Sequence, residues 1–281
     1  MHRRTLLRLT ALGGLGAGAT LAGCSKEEDT VTRADALPGP TRHTYGEDPS
    51  QYGELFLPRA DPRGVVVVIH GGFWRSEYAA DLGTPLAESL AEEGWAAWNL
   101  EYRRVGGGLG SGGGTPATFD DVAAGIDLLA DLDLDLSTVV TLGHSAGGHL
   151  ATWAAARGEH GWDDRVPVTH VISQAGVLDL RAADAEGLGG GAVRGLLGHA
   201  PTAADARFDP AQQLPLVVPV WCVHAQADVN VPFSQSADYV ERATATGATA
   251  ELVEVEGDHF TVIDRESPAW ARQLEILDGI G

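Results

Sequence analysis

Lysine is almost absent from this sequence, since Lys26 is the only one among 281 residues. Lysine and arginine together number 19, against 39 aspartates and glutamates, which gives a formal net charge of −20. A surface of this charge repels nucleic acid and anionic lipid, so we expect neither as a direct partner. The acidic balance favours solubility instead.

Cysteine is scarce as well, with Cys24 and Cys222 the only two. Two cysteines exclude a disulfide-rich scaffold and give no sign of a zinc site or of thiol chemistry. Cys222 lies in the apolar run VVPVWCVH, which predicts a small buried side chain. No motif indicates a metal or a nucleotide cofactor, so we expect neither.

Long apolar runs are missing, and the nearest approach to one is the N-terminal segment MHRRTLLRLTALGGLGAGATLAGC. Its basic start, Gly/Ala/Leu centre and small-residue end have the layout of an export signal. It is too short and too rich in glycine to make a good membrane-spanning helix. The stretch RRTLL, which begins with Arg3 and Arg4, resembles a twin-arginine signal. The stretch LAGC, which ends at Cys24, resembles a bacterial lipobox.

The lipobox resemblance implies that residues 1–24 are a lipoprotein signal peptide and that Cys24 carries the lipid. The alternative is an ordinary signal peptide with an incidental cysteine. We therefore expect an exported protein, anchored by lipid in the cell membrane and facing outside the cytoplasm. Residues 25–45 contain KEED, prolines and threonines without an apolar period, which predicts a flexible tether.

Residues 46–281 predict one domain in which strands and helices alternate. The continuous run VVVVI is typical of a strand that is buried on both faces. The predicted strands are Tyr52–Leu57, Val65–His70, Ala96–Glu101, Val139–Leu142, Val168–Gln174, Val217–His224 and Ala250–Val255. The predicted helices are Pro85–Glu93, Phe119–Leu129, Ala146–Arg157, Ser234–Thr246 and Pro268–Leu277. This alternation predicts an α/β fold with a mostly parallel, twisted sheet and helices on both faces.

Two glycine-rich stretches interrupt the alternation. Val105–Thr115 predicts a flexible loop after the third predicted strand, and Gly176–Leu214 holds short helical pieces around the run GLGGGAVRGLLG. The second stretch lies between two predicted parallel strands. We expect it to form a small lid over the carboxyl edge of the sheet, where open parallel sheets bind ligands.

The stretch GHSAG, from Gly143 to Gly147, matches the pattern G-x-S-x-G between a predicted strand and a predicted helix. A nucleophilic serine needs this sharp, strained turn, and glycines two positions away on either side let the strand and helix pack closely. The helix N-terminus then faces the reacting carbonyl, and the amide of Ala146 can donate to an oxyanion. The alternative is that Ser145 is only a small residue at a tight turn.

A serine hydroxyl is a poor nucleophile without a base. Asp228 follows the predicted strand that ends at His224, and His259 follows the last predicted strand. Both side chains should therefore emerge at the same sheet edge as Ser145, in the chain order serine, acid, histidine. We predict that His259 takes the Ser145 proton and that Asp228 orients the imidazole.

Three other polar residues near these motifs are interpreted as structural. Asp258 is a rival acid, but an adjacent residue rarely points its side chain at its neighbour's ring. His149 is interpreted as a helix-surface residue, and His224 as a core residue at a strand end.

Five stretches, in this order, resemble the α/β-hydrolase superfamily: HGGFWR, NLEYRRVG, GHSAGGHLA, ADVNVP and GDHF. The resemblance is greatest to the branch that holds kynurenine formamidase and the hormone-sensitive-lipase-like esterases, and it extends from Tyr52 to the C-terminal end. It implies an α/β-hydrolase fold and the catalytic machinery of a serine hydrolase.

The same resemblance relates HGGFW to the H-G-G-G oxyanion loop of lipases and esterases, with Phe73 in place of the third glycine. It implies an oxyanion hole formed by the amides of Gly72, Phe73 and Ala146. His70 is interpreted as a residue that fixes this loop rather than as a base. Phe73 also makes the loop more similar to that of the formamidases.

These features predict a serine esterase, of the carboxylesterase type, that cleaves short-acyl esters through an acyl-enzyme. The alternative is an arylformamidase, which the export signal disfavours because kynurenine breakdown is normally intracellular. A peptidase of the prolyl oligopeptidase type usually carries a large extra domain, and a non-catalytic binding protein usually lacks triad members. We therefore expect a small-molecule ester or amide as substrate, while the oligomeric state stays open.

The aromatic pair Phe73 and Trp74 predicts a small acyl site, because two rings fill the volume that a long acyl chain needs. On this hypothesis Trp74→Ala would shift the preference towards longer chains. The competing hypothesis is that Trp74 packs under the sheet and contacts no substrate.

Overall fold

The computed structural model describes residues 37–280 of the chain. The predicted signal peptide, with Arg3, Arg4 and Cys24, lies outside the described residues, as does the predicted tether up to residue 36. No helix between residues 37 and 280 is long and apolar enough to cross a bilayer.

Eight strands within the described range form one sheet. In chain order they are β1 (Thr41–Thr44), β2 (Tyr52–Phe56), β3 (Val65–Ile69), β4 (Ala96–Leu100), β5 (Val139–His144), β6 (His170–Gln174), β7 (Val220–Ala225) and β8 (Ala250–Val255). Their order across the sheet is β1-β2-β4-β3-β5-β6-β7-β8. β2 is antiparallel to both of its neighbours, and all the other pairs are parallel. The mostly parallel sheet confirms the predicted fold class.

Helices connect the parallel strands. Over the same residues they are α1 (Thr84–Glu92), α2 (Ala117–Asp127), α3 (Ala146–Ala154), α4 (Leu180–Ala185), α5 (Ala192–Leu197), α6 (Ser234–Ala245) and α7 (Pro268–Asp278). Each predicted strand and helix is present, with ends that differ by a few residues. The predicted strand that starts at Val217, for example, begins at Val220.

The central strand β3 shows how the sheet separates two cores. Val65, Val67 and Ile69 belong to the hydrophobic cluster that includes residues of α2 and α3. Val66 and Val68 belong to the opposite cluster, which includes residues of α1 and α7. Because successive strand side chains alternate between faces, a strand covered on both sides must be apolar at every position. Each fully buried aliphatic side chain contributes roughly 1.5–3 kcal/mol of transfer free energy.

The sheet begins earlier than the sequence predicts, because β1 lies inside the segment interpreted as a tether. The strand has the sequence TRHT and is exposed at the sheet edge, so it carries no apolar period. It is held by backbone pairing with β2 and by an ion pair of 2.7 Å between Arg42 and Glu54. The Arg42 guanidinium also lies 3.8 Å from the centre of the Tyr52 ring. Polar edge pairing of this kind leaves no hydrophobic signal in the sequence.

The insertion between β6 and β7 contains α4 and α5, as the short helical pieces predicted. His149 on α3 donates from Nε2 to the Phe208 carbonyl at 2.7 Å, and Trp153 donates to the Arg207 carbonyl at 3.0 Å. His149 is completely buried, so its interpretation as a helix-surface residue is wrong. The insertion covers that face of α3, which the local helix pattern does not reveal.

Candidate active site

Ser145 occupies the single position between β5 and α3. Its backbone φ and ψ are 56° and −117°, a conformation that L side chains rarely adopt. The Ser145 amide donates to the Gln174 carbonyl of β6 at 2.8 Å, which holds the turn against the neighbouring strand. The sharp, strained strand-to-helix turn that the sequence predicts is therefore present.

The glycines of the motif are required by close packing. A Cβ at Gly143 would collide with the Gly147 carbonyl, and a Cβ at Gly147 would collide with the Ile69 carbonyl of β3. The first turn of α3 consequently lies directly against two strands, and any larger side chain would push Ser145 out of place.

Asp228 and His259 meet beyond the ends of β7 and β8. His259 Nδ1 donates to Asp228 Oδ2 at 2.6 Å, and both residues are almost completely buried. In the neutral ring this leaves Nε2 as an acceptor, which is the tautomer that a general base needs.

The Ser145 hydroxyl and His259 Nε2 make no hydrogen bond to any residue in the range 37–280. The serine–histidine hydrogen bond is often long in free enzymes and shortens when substrate binds. The rings of His144 and His259 are 4.4 Å apart between centroids, and His144 Nε2 donates to the His259 carbonyl at 2.8 Å. The residue before Ser145 therefore holds the backbone of His259 beside the serine turn.

The Asp228 carboxylate is saturated with hydrogen bonds. Oδ1 accepts from the amides of Asn230 at 2.8 Å and Val231 at 2.9 Å, and Oδ2 accepts from His259 and His224. Burial alone would raise the pKa of Asp228, but hydrogen bonds from His224, His259 and Val231 outweigh it and hold that pKa well below its usual range. Asp228 is consequently a carboxylate at neutral pH.

Sequence reasoning missed the contact between His224 and Asp228. His224 Nε2 lies 3.1 Å from Asp228 Oδ2, and the ring is fully buried at the end of β7. A signal existed in the spacing, since His224 precedes Asp228 by four residues across one tight turn. The interpretation of His224 as a core residue is correct for its burial but omits its contact with the acid.

Asp258 does not contact the His259 ring. Its carboxylate accepts from the amides of Phe260 at 2.9 Å and Thr261 at 3.1 Å, and these bonds, led by the one to Phe260, lower the pKa of Asp258. Asp258 thus stabilises the turn that carries His259, and the geometry agrees with rejecting it as the triad acid.

The loop after β3 lies against the serine turn. A Cβ at Gly71 would be 3.1 Å from Ser145 Cβ and 2.7 Å from the His144 carbonyl oxygen. The amides of Gly72, Phe73 and Ala146, the three predicted oxyanion donors, make no hydrogen bond to any residue in the described range. Unpaired amides beside a serine at a helix N-terminus are the arrangement that an oxyanion hole requires.

His70 holds this loop in place. Its Nδ1 donates to the Gly71 carbonyl at 2.8 Å, and its Nε2 accepts from Arg104 at 3.3 Å. Burial, with the nearby Arg104 charge, lowers the pKa of His70 to about 3, so the ring is neutral. Arg104 is paired in turn with the buried Glu101 carboxylate, which accepts from the Ala80 amide at 2.9 Å. The interpretation of His70 as a loop-fixing residue is confirmed.

Trp74 does not line the acyl site. It is completely buried in the core, with its ring edge-on to His149 at 5.2 Å between centroids, whereas Phe73 is partly exposed. Positive φ angles of 54° at Phe73 and 55° at Trp74 turn the loop tightly. The prediction that Trp74 forms a wall of the acyl pocket is therefore wrong, and the competing hypothesis of core packing holds.

The rest of the described chain offers neither a reactive thiol nor a metal site. Cys222 is buried and unpaired, and burial raises the pKa of its thiol to about 12, which agrees with the predicted structural role. Over residues 37–280, no group of three or more histidine, cysteine, aspartate or glutamate side chains is placed to hold a metal ion.

Comparison with known proteins finds relatives that are similar in sequence. The chain is 24% identical to a rice (Oryza sativa subsp. japonica) protein, a probable isoprenylcysteine alpha-carbonyl methylesterase, over 266 residues. The match covers 84% of this chain but only 61% of the rice protein.

Solved structures of esterases share the fold. A truncated carbohydrate esterase from gut microbiota superimposes with a TM-score of 0.71 at 19% identity, covering 86% of this chain and 99% of that one. A thermophilic esterase from the planctomycete Thermogutta terrifontis gives a TM-score of 0.68 at 23% identity, covering 86% and 91% of the two chains.

The family model BD-FAE matches residues 54–242, which is more than half of the chain. The matched segment runs from β2 to α6 and contains the HGGFW loop, the serine turn and Asp228. The chain therefore belongs to the BD-FAE family, an α/β-hydrolase family, and shares its fold with esterases.

Proposed function

We propose that the chain is a serine esterase that cleaves short-acyl carboxylic esters through an acyl-enzyme. The observation that carries the proposal is the 2.6 Å hydrogen bond from His259 Nδ1 to Asp228 Oδ2 beside the strained Ser145 turn. This hydrogen bond orients His259 as a base. The His259 backbone is held beside the Ser145 turn, where the three predicted oxyanion amides are unpaired.

The reaction follows from these positions. His259 Nε2 accepts the hydroxyl proton as Ser145 Oγ forms a bond to the ester carbonyl carbon, and the carbonyl oxygen becomes an oxyanion facing the amides of Gly72, Phe73 and Ala146. The carbon–oxygen bond to the alcohol then breaks, and His259 returns the proton to the leaving alkoxide. Water repeats the sequence on the acyl-enzyme and releases the acid.

The part of the site that receives the acyl group is short because the predicted lid, Gly176–Leu214, lies on the oxyanion loop. Arg75 donates to the Gly189 carbonyl of the lid, and its guanidinium lies 5.4 Å from the centre of the Phe73 ring. A Cβ at Gly189 would lie 2.5 Å from the Phe73 ring edge, so only glycine permits this approach. A long acyl chain would gain little burial here, at about 0.8 kcal/mol per buried methylene.

A structural neighbour supports the short-acyl preference. Structures of the Thermogutta terrifontis esterase have been solved with propionate bound and with butyrate bound. The rice relative, described as a probable methylesterase, supports ester cleavage only, because the methyl group of a methyl ester belongs to the alcohol and not to the acyl part. An aryl formamide remains the second candidate, because Phe73 replaces a glycine of the esterase loop and a formyl group is the smallest acyl group.

A panel of p-nitrophenyl esters tests the acyl preference. We expect kcat/KM to be highest between acetyl and butyryl and to fall for octanoyl and longer chains. Phe73→Ala should move the optimum towards longer chains, because it removes the ring that faces Gly189. Rates with N-formylkynurenine, measured beside the esters, separate the ester and formamide candidates.

The matched control is Val217→Ala, which trims an exposed apolar side chain near the amino end of β7, at the opposite sheet edge. It should leave the chain-length profile unchanged. A wild-type preference for octanoyl or longer esters would contradict the short-acyl proposal. An unchanged profile in Phe73→Ala would remove Phe73 as the wall of the acyl site.

We also propose that the enzyme is exported and anchored by a lipid on Cys24. The support is the lipobox-like LAGC, the RRTLL stretch after the N-terminus and the polar segment that follows. Cys24→Ser is expected to abolish incorporation of labelled palmitate and to release the protein from membranes or block its processing. Cys222→Ala, the matched control, should keep the label. Membrane association and processing that survive Cys24→Ser would contradict the anchor.

A further inference from the structure

The hydrogen bonds around Asp228 extend into the core beyond the proposed triad. Asp228 Oδ2 accepts from two imidazoles, His259 Nδ1 at 2.6 Å and His224 Nε2 at 3.1 Å. His224 Nδ1 lies 2.8 Å from the hydroxyl of Ser236 on α6. His224 and Ser236 are both completely buried, so substrate cannot reach them.

The partners of His224 define one tautomer. Its Nε2 faces two acceptors, Asp228 Oδ2 and the Val231 carbonyl, each at 3.1 Å, so Nε2 must carry the proton. Its Nδ1 faces a hydroxyl, which donates to it. The direction of the hydrogen bonds is therefore from Ser236 to His224 and from His224 to the carboxylate. Every member of this buried chain is satisfied in that arrangement.

His224 holds the Asp228 oxygen that the backbone amides do not hold. The amides of Asn230 and Val231 hold Oδ1, whereas the donors to Oδ2 are the two imidazoles. The His224 donor therefore helps to hold Oδ2 in line with His259. It also takes a share of the negative charge, so the carboxylate stabilises a protonated His259 less strongly.

We propose that His224 is a positioning residue that orients Asp228 and keeps His259 unprotonated, and therefore active as a base, to lower pH. The proposal rests on the proposed function, in which Asp228 and His259 serve Ser145. The titratable groups that face this pair are His224 on β7, His144 at the end of β5 and Asp258 in the turn after β8.

The test is the pH–rate profile of His224→Leu with p-nitrophenyl acetate. We expect kcat to fall roughly 10- to 100-fold, as for loss of a hydrogen bond to a charged group, with KM unchanged because His224 is buried. The acid limb should move to higher pH, since an Asp228 with less shared charge favours the protonated, inactive His259. His224→Gln, whose amide can donate from the same position, should recover most of kcat and the wild-type acid limb.

Two serine variants keep the proposal testable if His224→Leu folds poorly. Ser236→Ala leaves His224 Nδ1 without its donor, so the ring is held less firmly against Asp228 Oδ2; it should lower kcat severalfold and move the acid limb in the same direction. Ser173→Ala, which removes a buried hydroxyl without a hydrogen-bond partner, should change neither.

Different outcomes overturn different claims. Unshifted acid limbs in His224→Leu and Ser236→Ala, with activity lost only in proportion to the unfolded fraction measured by circular dichroism, would make His224 structural. His224 would also be structural if a folded His224→Gln variant recovered neither kcat nor the acid limb. Ester hydrolysis that survives Ser145→Ala would instead contradict the proposed function itself.

Discussion

Replacement of Ser145 by alanine is expected to lower kcat by roughly 10⁴- to 10⁶-fold and to abolish labelling by a fluorophosphonate probe. The loss should be this large because nucleophile, base and acid act as a unit, so that removing the nucleophile removes the whole covalent route. Alanine keeps the Cβ and the turn, so the fold should persist. Labelling and p-nitrophenyl acetate hydrolysis measure the two effects.

Ser173→Ala is the matched control for this experiment, since it changes a buried serine on the neighbouring strand β6. It should be labelled at the wild-type rate. Labelling that persists in Ser145→Ala would mean that another side chain is the nucleophile, and the proposed mechanism would then be wrong.

The second large effect is expected from Asp228→Asn, with a fall in kcat of roughly 10⁴-fold, the size seen when a triad acid becomes an amide in another hydrolase. The surroundings of Asp228 determine how the amide sits. The amides of Asn230 and Val231 require an acceptor at the Oδ1 position, so the new carbonyl oxygen must face them. The new NH₂ group then faces the donors His259 and His224.

The new NH₂ group and the Nδ1–H of His259 are both donors and cannot hydrogen-bond each other. His259 must therefore give up its Nδ1 proton and carry a proton on Nε2 instead. That tautomer cannot accept the Ser145 proton. Asp258→Asn is the matched control one residue before His259, and it keeps the acceptor for the Phe260 amide, so activity should stay within about threefold of wild type. Comparable losses in the two variants would contradict the assignment of Asp228 as the acid.

Backbone strain is concentrated at the carboxyl edge of the sheet. The non-glycine residues with positive φ in the described range are Phe73, Trp74, Ser145 and Ala175, which follow β3, β5 and β6. Such conformations cost of order 1–3 kcal/mol each and persist only where surrounding structure imposes them. At Ser145, the hydrogen bond from its amide to the Gln174 carbonyl is one contact that imposes the conformation. The strain lies where the proposed chemistry takes place.

Much of the proposed site could be predicted from the sequence because its determinants are local. The turn at Ser145 needs glycines at 143 and 147, and both are part of the G-x-S-x-G motif. Asp228 and His259 each follow a buried strand, and parallel strands end at the same edge of a sheet. The run VVVVI predicts burial on both faces of the sheet because every residue in it is apolar.

Only the tertiary structure decided which side chains meet, because those contacts depend on how loops distant in sequence turn towards each other. Asp258 turns back onto its own loop, while His224 approaches Asp228 from β7. Trp74 enters the core, although it is as aromatic as its neighbour Phe73 and one residue away. The edge strand β1 is held by backbone pairing with β2, which leaves no apolar pattern to detect.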